Sequence, residues 1–113
     1  MRYRALFLAA ASACAVGLAA PPAASAAEGE FSFQYRDADG VLLETKVANP
    51  ASYECHEVTD IATTIAGYAF TPVNRTGSAV VLFKDPNCAG AAYRLNAGSQ
   101  ATESLKFRSA RFS

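Results

Sequence analysis

Phe31, Phe33 and Tyr35 alternate with Ser32 and Gln34, a period of two that sets three aromatic rings on one face of an extended strand and polar groups on the other. No stretch of residues 27–113 offers ten or more residues of clear helical period, so this apolar face has to be buried against another sheet. Turn residues Asp37-Ala38-Asp39-Gly40 follow, then a looser alternation over Val41–Val47, which together predict a β-hairpin. Asn49-Pro50 punctuates the chain, and short candidate strands run over Tyr53–Val58, around Cys55, and over Ile65–Thr71, with Tyr68 and Phe70. Pro72 to Ser78 reads as a polar loop at the midpoint of the domain. The dense β-former run Ala79–Lys84 stops at Asp85-Pro86-Asn87, where proline fixes φ and asparagine tolerates left-handed geometry. Ala91–Leu95 reads as a strand, Asn96–Ser99 as a turn and Leu105–Phe112 as the closing strand. In that last strand the buried phase slips from odd to even positions, which predicts a bulge or bend near Arg108-Ser109. Several short strands with turn signals between them predict an all-β fold, a small sandwich or barrel.

The opening residues belong to a different class. Arg2 and Arg4 precede an apolar run from Ala5 to Ala20, Pro21-Pro22 break it, and Ala24-Ser25-Ala26 forms an A-x-A site. This is the pattern of a secretory signal peptide over residues 1–26 and predicts a secreted, extracellular protein. The apolar run is shorter than the roughly 20 residues a bilayer span requires, so no membrane association is expected once the leader is gone. Of the 113 residues, 87 then remain, residues 27–113. They suffice for a single small domain that buries only about 60% of its unfolded surface.

Removing the leader takes Cys14 with it and leaves Cys55 and Cys88, an even pair in an exported chain and hence one expected disulfide. A bridge closing a loop of that size stabilises a fold by about 3–4 kcal/mol in the chain-entropy model. The remaining 8 basic and 10 acidic side chains leave a net charge near −2, which is no nucleic-acid-binding balance. A monomer is expected.

Candidate chemistry is sparse. His56 is the single histidine and lies among Glu54, Cys55 and Glu57. Side chains two apart on a strand face are about 7 Å apart, too far for a direct acid–base pair. The chain has no G-x-S-x-G, phosphate-cradling glycine loop or H-E-x-x-H, so no enzyme activity and no catalytic residue is expected. Asn74-Arg75-Thr76 matches a glycosylation sequon but reads as part of the polar loop. Tyr35, Tyr53 and Tyr68 are candidates for exposed stacking on glycans or a partner, weighed against half-buried core.

The stretch Val81-Leu82-Phe83-Lys84-Asp85-Pro86-Asn87-Cys88-Ala89-Gly90-Ala91-Ala92-Tyr93, followed after a gap by Arg108-Ser109-Ala110-Arg111-Phe112, resembles a βγ-crystallin motif. Phe83, Gly90, Tyr93, Ser109, Ala110 and Arg111 fall on that family's aromatic strand, hairpin glycine, second aromatic strand and late Ser with hydrophobic-Arg-hydrophobic strand. Residues Phe31 to Thr71 fit loosely as a degraded second copy. The resemblance implies a Greek-key β-sandwich of two such motifs. Small exported microbial members of this group include an actinobacterial metalloproteinase-inhibitor family and killer-toxin-like proteins.

Calcium is the ligand the resemblance implies most often, through an Asn/Asp-Asn/Asp-x-x-Ser/Thr-Ser signature. Ser104–Ser109 keeps neither acidic nor amide position. Thr59–Thr64 keeps Asp60, Thr63 and Thr64, a single carboxylate where tight calcium sites use several, so no cofactor is expected beyond a weak calcium site there. The expected role is a secreted, non-enzymatic binding protein, a peptidase inhibitor of the metalloproteinase-inhibitor type that offers a rigid loop to an extracellular protease. Candidate loops are Pro72–Ser78, with Asn74, Arg75 and Thr76, and Asp85–Gly90, with Asp85, Pro86 and Asn87. The alternative is an extracellular structural or cell-envelope domain that binds glycans.

Overall fold

The computed structural model describes residues 26–113; the leader expected over residues 1–26 lies, but for Ala26, outside them. Eight strands and one helical turn follow in the order β1 (Gly29–Arg36), β2 (Leu42–Ala48), β3 (Cys55–Glu57), α1 (Val58–Ile61), β4 (Ala69–Thr76), β5 (Val80–Asp85), β6 (Ala89–Leu95), β7 (Lys106–Phe107) and β8 (Ser109–Phe112). They form two four-stranded sheets, ordered β2-β1-β4-β7 and β3-β8-β5-β6, and the strands pair antiparallel throughout. Each half of the chain, β1–β4 and β5–β8, lends its third strand to the sheet of the other half.

The alternation of β1 sets this arrangement. Phe31, Phe33 and Tyr35 are buried, and their cross-strand partners Val47, Thr45 and Leu43 are half-buried on the same face, while Leu42, Glu44 and Lys46 face solvent. The second sheet presents Val80, Leu82, Ala110 and Phe112 to the same core. The rings meet edge to face, Phe31 against Phe112 at 5.2 Å between centroids and Phe33 against Phe107 at 5.5 Å, the geometry the ring quadrupole favours. Phe31 and Phe112 belong to different sheets, so this contact joins the two layers.

Three local expectations need correction. The run Pro72–Ser78, expected as a loop, is mostly the second half of β4. Its proline is tolerated because the β1–β4 register shifts between Ser32 and Gln34, and a bulge is where a residue without an N–H fits a sheet. Thr71 supplies the bulge's left-handed turn with φ 53°. The strand expected over Tyr53–Val58 ends at Glu57 and turns into α1, and the one expected over Ile65–Thr71 starts at Ala69, Ile65 contributing an isolated bridge to Asp37. The closing strand divides at the expected phase slip: β7 pairs with β4 and β8 with β5 and β3. Arg108 makes the crossing, its N–H donating to Phe83 O at 2.8 Å and its carbonyl accepting from Val58 N at 3.0 Å. Phe107 therefore enters the core from one sheet while Ala110 and Phe112 enter from the other, which is why the buried positions change parity.

Candidate functional site

The inward set Val80, Leu82, Ala110 and Phe112 fixes which side chains of the second sheet point outward, because successive residues alternate. Cys55, Glu57, Phe83 and Ser109 take the outer face, with Glu57 and Phe83 both paired to Ser109. The β5–β6 hairpin, Asp85–Gly90, folds onto this face. Three groups of the face hold it. Cys55 is bridged to Cys88 with the Cα atoms 5.9 Å apart, the ordinary separation for a disulfide. The Glu57 carboxylate accepts from Asn87 N at 2.9 and 3.1 Å. Ser109, itself without solvent exposure, accepts at Oγ from Cys88 N at 2.9 Å and donates to Asp85 O at 2.6 Å.

The turn requires left-handed backbone at Asn87 (φ 61°), Cys88 (φ 53°) and Gly90 (φ 83°). Asparagine and glycine adopt it readily, whereas the φ of Cys88 is imposed by the bridge and the Ser109 hydroxyl. At position 90 it is the left-handed φ that requires glycine, since the atoms nearest an added Cβ belong to the exposed Asp85 side chain, which can swing aside. Asp85, Pro86 and Asn87 stay exposed at the tip. The result is a surface hairpin tied down at three points.

The other candidate segment has a different role. Asn74 has no exposure, and its Nδ2 donates toward Ser78 O at 2.8 Å and toward Leu95 O and Asn96 O, both at 3.2 Å. Its Oδ1 accepts from Thr76 N at 3.1 Å and Thr76 Oγ1 at 2.7 Å. Asn74 is thus a buried polar hub that ties β4 to the two neighbouring turns, and with Thr76 also buried the triplet offers a partner only the side chain of Arg75. The sequon is correspondingly inaccessible in the folded chain. Sequence reasoning missed the hub because an asparagine beside threonine and glycine has the composition of a loop.

His56 is half-buried; its Nε2 donates to Ala51 O at 2.7 Å, and its ring stands edge to face on Phe112 at 5.6 Å. Both interactions use the imidazole as a packing element. Asp60, Thr63 and Thr64 are all exposed, Asp60 on α1 and the threonines beyond it. Among the described residues no three His, Cys, Asp or Glu side chains gather as a metal cluster. Of the tyrosines, Tyr35 is core, Tyr53 is 66% exposed and Tyr93 46% exposed, while Tyr68 is half-buried beneath the Arg108 guanidinium, 4.3 Å from its ring centre. No helix among the described residues is long and apolar enough to cross a membrane. Compared with protein-family models, curated proteins and solved structures, the chain matches none.

Proposed function

We propose that this is a secreted, non-enzymatic binding protein of βγ-crystallin type that presents the Asp85–Gly90 hairpin to an extracellular peptidase as an inhibitor. The observation that carries the reading is the threefold clamp on that hairpin: the disulfide, the Glu57 carboxylate and the buried Ser109 hydroxyl. Binding by a segment already fixed in shape avoids the cost of ordering it, which is the advantage of a stapled loop. The crystallin resemblance is supported by the two antiparallel four-stranded sheets, with four strands from each half of the chain, and by the positions of Ser109, which bonds the hairpin, and Gly90, which takes its left-handed position. Secretion is supported by the A-x-A leader pattern and by the disulfide, which persists in oxidising compartments. A second reading, an envelope or glycan-binding domain, draws on exposed aromatic and cationic side chains away from the hairpin.

The test is inhibition of a panel of secreted metallo- and serine peptidases by the purified, disulfide-bonded protein. Stoichiometric inhibition at nanomolar concentration is expected for one of them, and Pro86→Arg, which alters the exposed tip without touching a clamp, is expected to abolish it. No inhibition at tens of micromolar with the protein folded would discard the peptidase reading.

A further inference from the structure

The cations of the domain are not spread evenly. Two open clefts, of about 310 and 370 Å³, lie side by side and share the side chains of Tyr68 and Lys106. The first is completed by Arg36, Phe70, Ala66 and Glu103, and the second by Lys84, Tyr93, Leu82 and Leu105 among others. Arg108 lies against the Tyr68 ring but lines a neighbouring cleft, with Glu57 and Pro86. Three of the eight Lys and Arg residues in 27–113, Arg36, Lys84 and Lys106, therefore line the paired cleft against one carboxylate, Glu103, in a chain whose net charge over those residues is near −2, and three aromatic rings stand among them.

The topology explains why the clefts exist. β7, at the edge of the first sheet, is two residues long, and β6, at the edge of the second, carries exposed side chains at every position but Leu95. A sheet edge this short leaves the margin of the core uncovered, so the buried Leu82 and half-buried Leu105 form a cleft floor. Tyr93 pairs with Leu82 on the inward face yet remains 46% exposed because nothing covers it.

Two of the cleft cations make contacts of their own. Lys106 Nζ donates to Glu103 O at 3.0 Å and lies 5.8 Å from the Phe70 ring centre. Arg36 Nη1 donates to Gly40 O at 3.0 Å. Each retains further donors for a ligand, since an ammonium has three and a guanidinium five.

We propose that this paired cleft binds an acidic polysaccharide, with sugar rings laid on Tyr68 and Tyr93 and their carboxylates paired to Lys84, Lys106 and Arg36. An amphipathic tyrosine surface accepts the apolar face of a sugar while its hydroxyl bonds the polar rim, and fixed cations select the charged polymer over a neutral one. Two open clefts with a common wall suit consecutive residues of one chain rather than a single enclosed small molecule. The site depends on no part of the hairpin reading, and the variants below separate the two.

The experiment is titration of the disulfide-bonded protein with polygalacturonate, with its methyl-esterified form and with single-stranded DNA, followed by calorimetry and by tyrosine fluorescence, which no tryptophan obscures. Saturable binding of polygalacturonate that weakens with added salt, and binding of the esterified polymer at least about tenfold weaker, are expected. Lys84→Glu and Tyr93→Ala, both at exposed positions, should each lower affinity by about tenfold or more, and the uncharged change Pro86→Ala should leave it unchanged. Overturning results are the absence of binding at low salt, wild-type affinity in Lys84→Glu with Lys106→Glu, or DNA binding as tight as that of polygalacturonate.

Discussion

The two halves of the molecule follow one plan and are secured by different means. In each, a hairpin lies beside its own fourth strand while the third strand crosses to the other sheet. The first hairpin turn is closed by its own side chain: Asp37 Oδ1 accepts from Asp39 N and from Val41 N, both at 2.9 Å, and its long-range ties are backbone only, the bridge of Asp37 to Ile65 and the bond from Ala66 N to Arg36 O at 2.8 Å. The second is closed from a distance, by Cys55 and Glu57 of the first half and Ser109 near the end of the chain. Ser109 pairs with Phe83, two residues before the end of β5, and the position pairing two residues before the end of β1 is Phe70. Where one half has a hydroxyl clamp, the other has a ring. The first half also holds Thr71, left-handed at φ 53° with its hydroxyl buried and without a partner. Shared topology therefore does not require shared fastening, and a rigid surface arises only where distant groups converge.

Cutting the longest of these fasteners should have the largest effect. Replacing both cysteines by serine releases a link spanning 33 positions, and about 3–4 kcal/mol of stability should go with it. For a domain of this size that lowers Tm by roughly 15–25 °C, measurable by thermal unfolding with and without reductant. If the two halves are fastened as described, amide exchange should rise mainly at 85–90 and leave the turn at 37–40 as it was. Equal loosening of both turns would break the comparison.

The same contrast explains what could be read from the chain alone. The alternation at Phe31, Phe33 and Tyr35, the even cysteine pair and the phase slip before Phe112 are local or arithmetic signals, and each corresponds to a feature of the structure: the inward face of β1, the Cys55–Cys88 bridge and the crossing at Arg108. Glu57 as a hairpin clamp was not legible, because it lies 30 positions from Asn87 and only the loan of β3 to the other sheet brings it there. Asn74 and Pro72 were misread for a related reason. Both have turn chemistry locally, and tertiary structure overrides it by supplying a bulge for one and carbonyl partners for the other. The cleft cations Arg36, Lys84 and Lys106 are scattered along the chain, so their convergence is a property of the topology.

The Ser109 hydroxyl gives the next effect in size. Ser109→Ala removes, from a residue with no exposure of its own, the hydroxyl that bonds Cys88 N and Asp85 O, at a cost of about 1–3 kcal/mol. Because the same hydroxyl holds Cys88 left-handed, the variant's disulfide should also be reduced faster by a fixed concentration of thiol. Chemical denaturation checks the first outcome and a reduction time course the second. A loss of stability with unchanged reduction kinetics would assign Ser109 to general packing and leave the hairpin to the bridge and Glu57.

Asp37→Ala is the matching change in the first half and should be the mildest. The carboxylate bonds two N–H groups of its own turn, both at exposed positions, so water replaces it when it is removed and the net loss is about 0.5–1.5 kcal/mol. In Ser109→Ala water replaces the lost hydroxyl less completely, since Ser109 itself has no exposure, although Cys88 is half-buried and Asp85 exposed. The denaturation midpoints of the two variants measured side by side should therefore differ in that order, with Asp37→Ala also leaving reduction of the Cys55–Cys88 bridge unaltered. If Asp37→Ala costs as much as Ser109→Ala, a local turn is as consequential as a long-range clamp, and the asymmetry between the halves lies in sequence without a counterpart in energy.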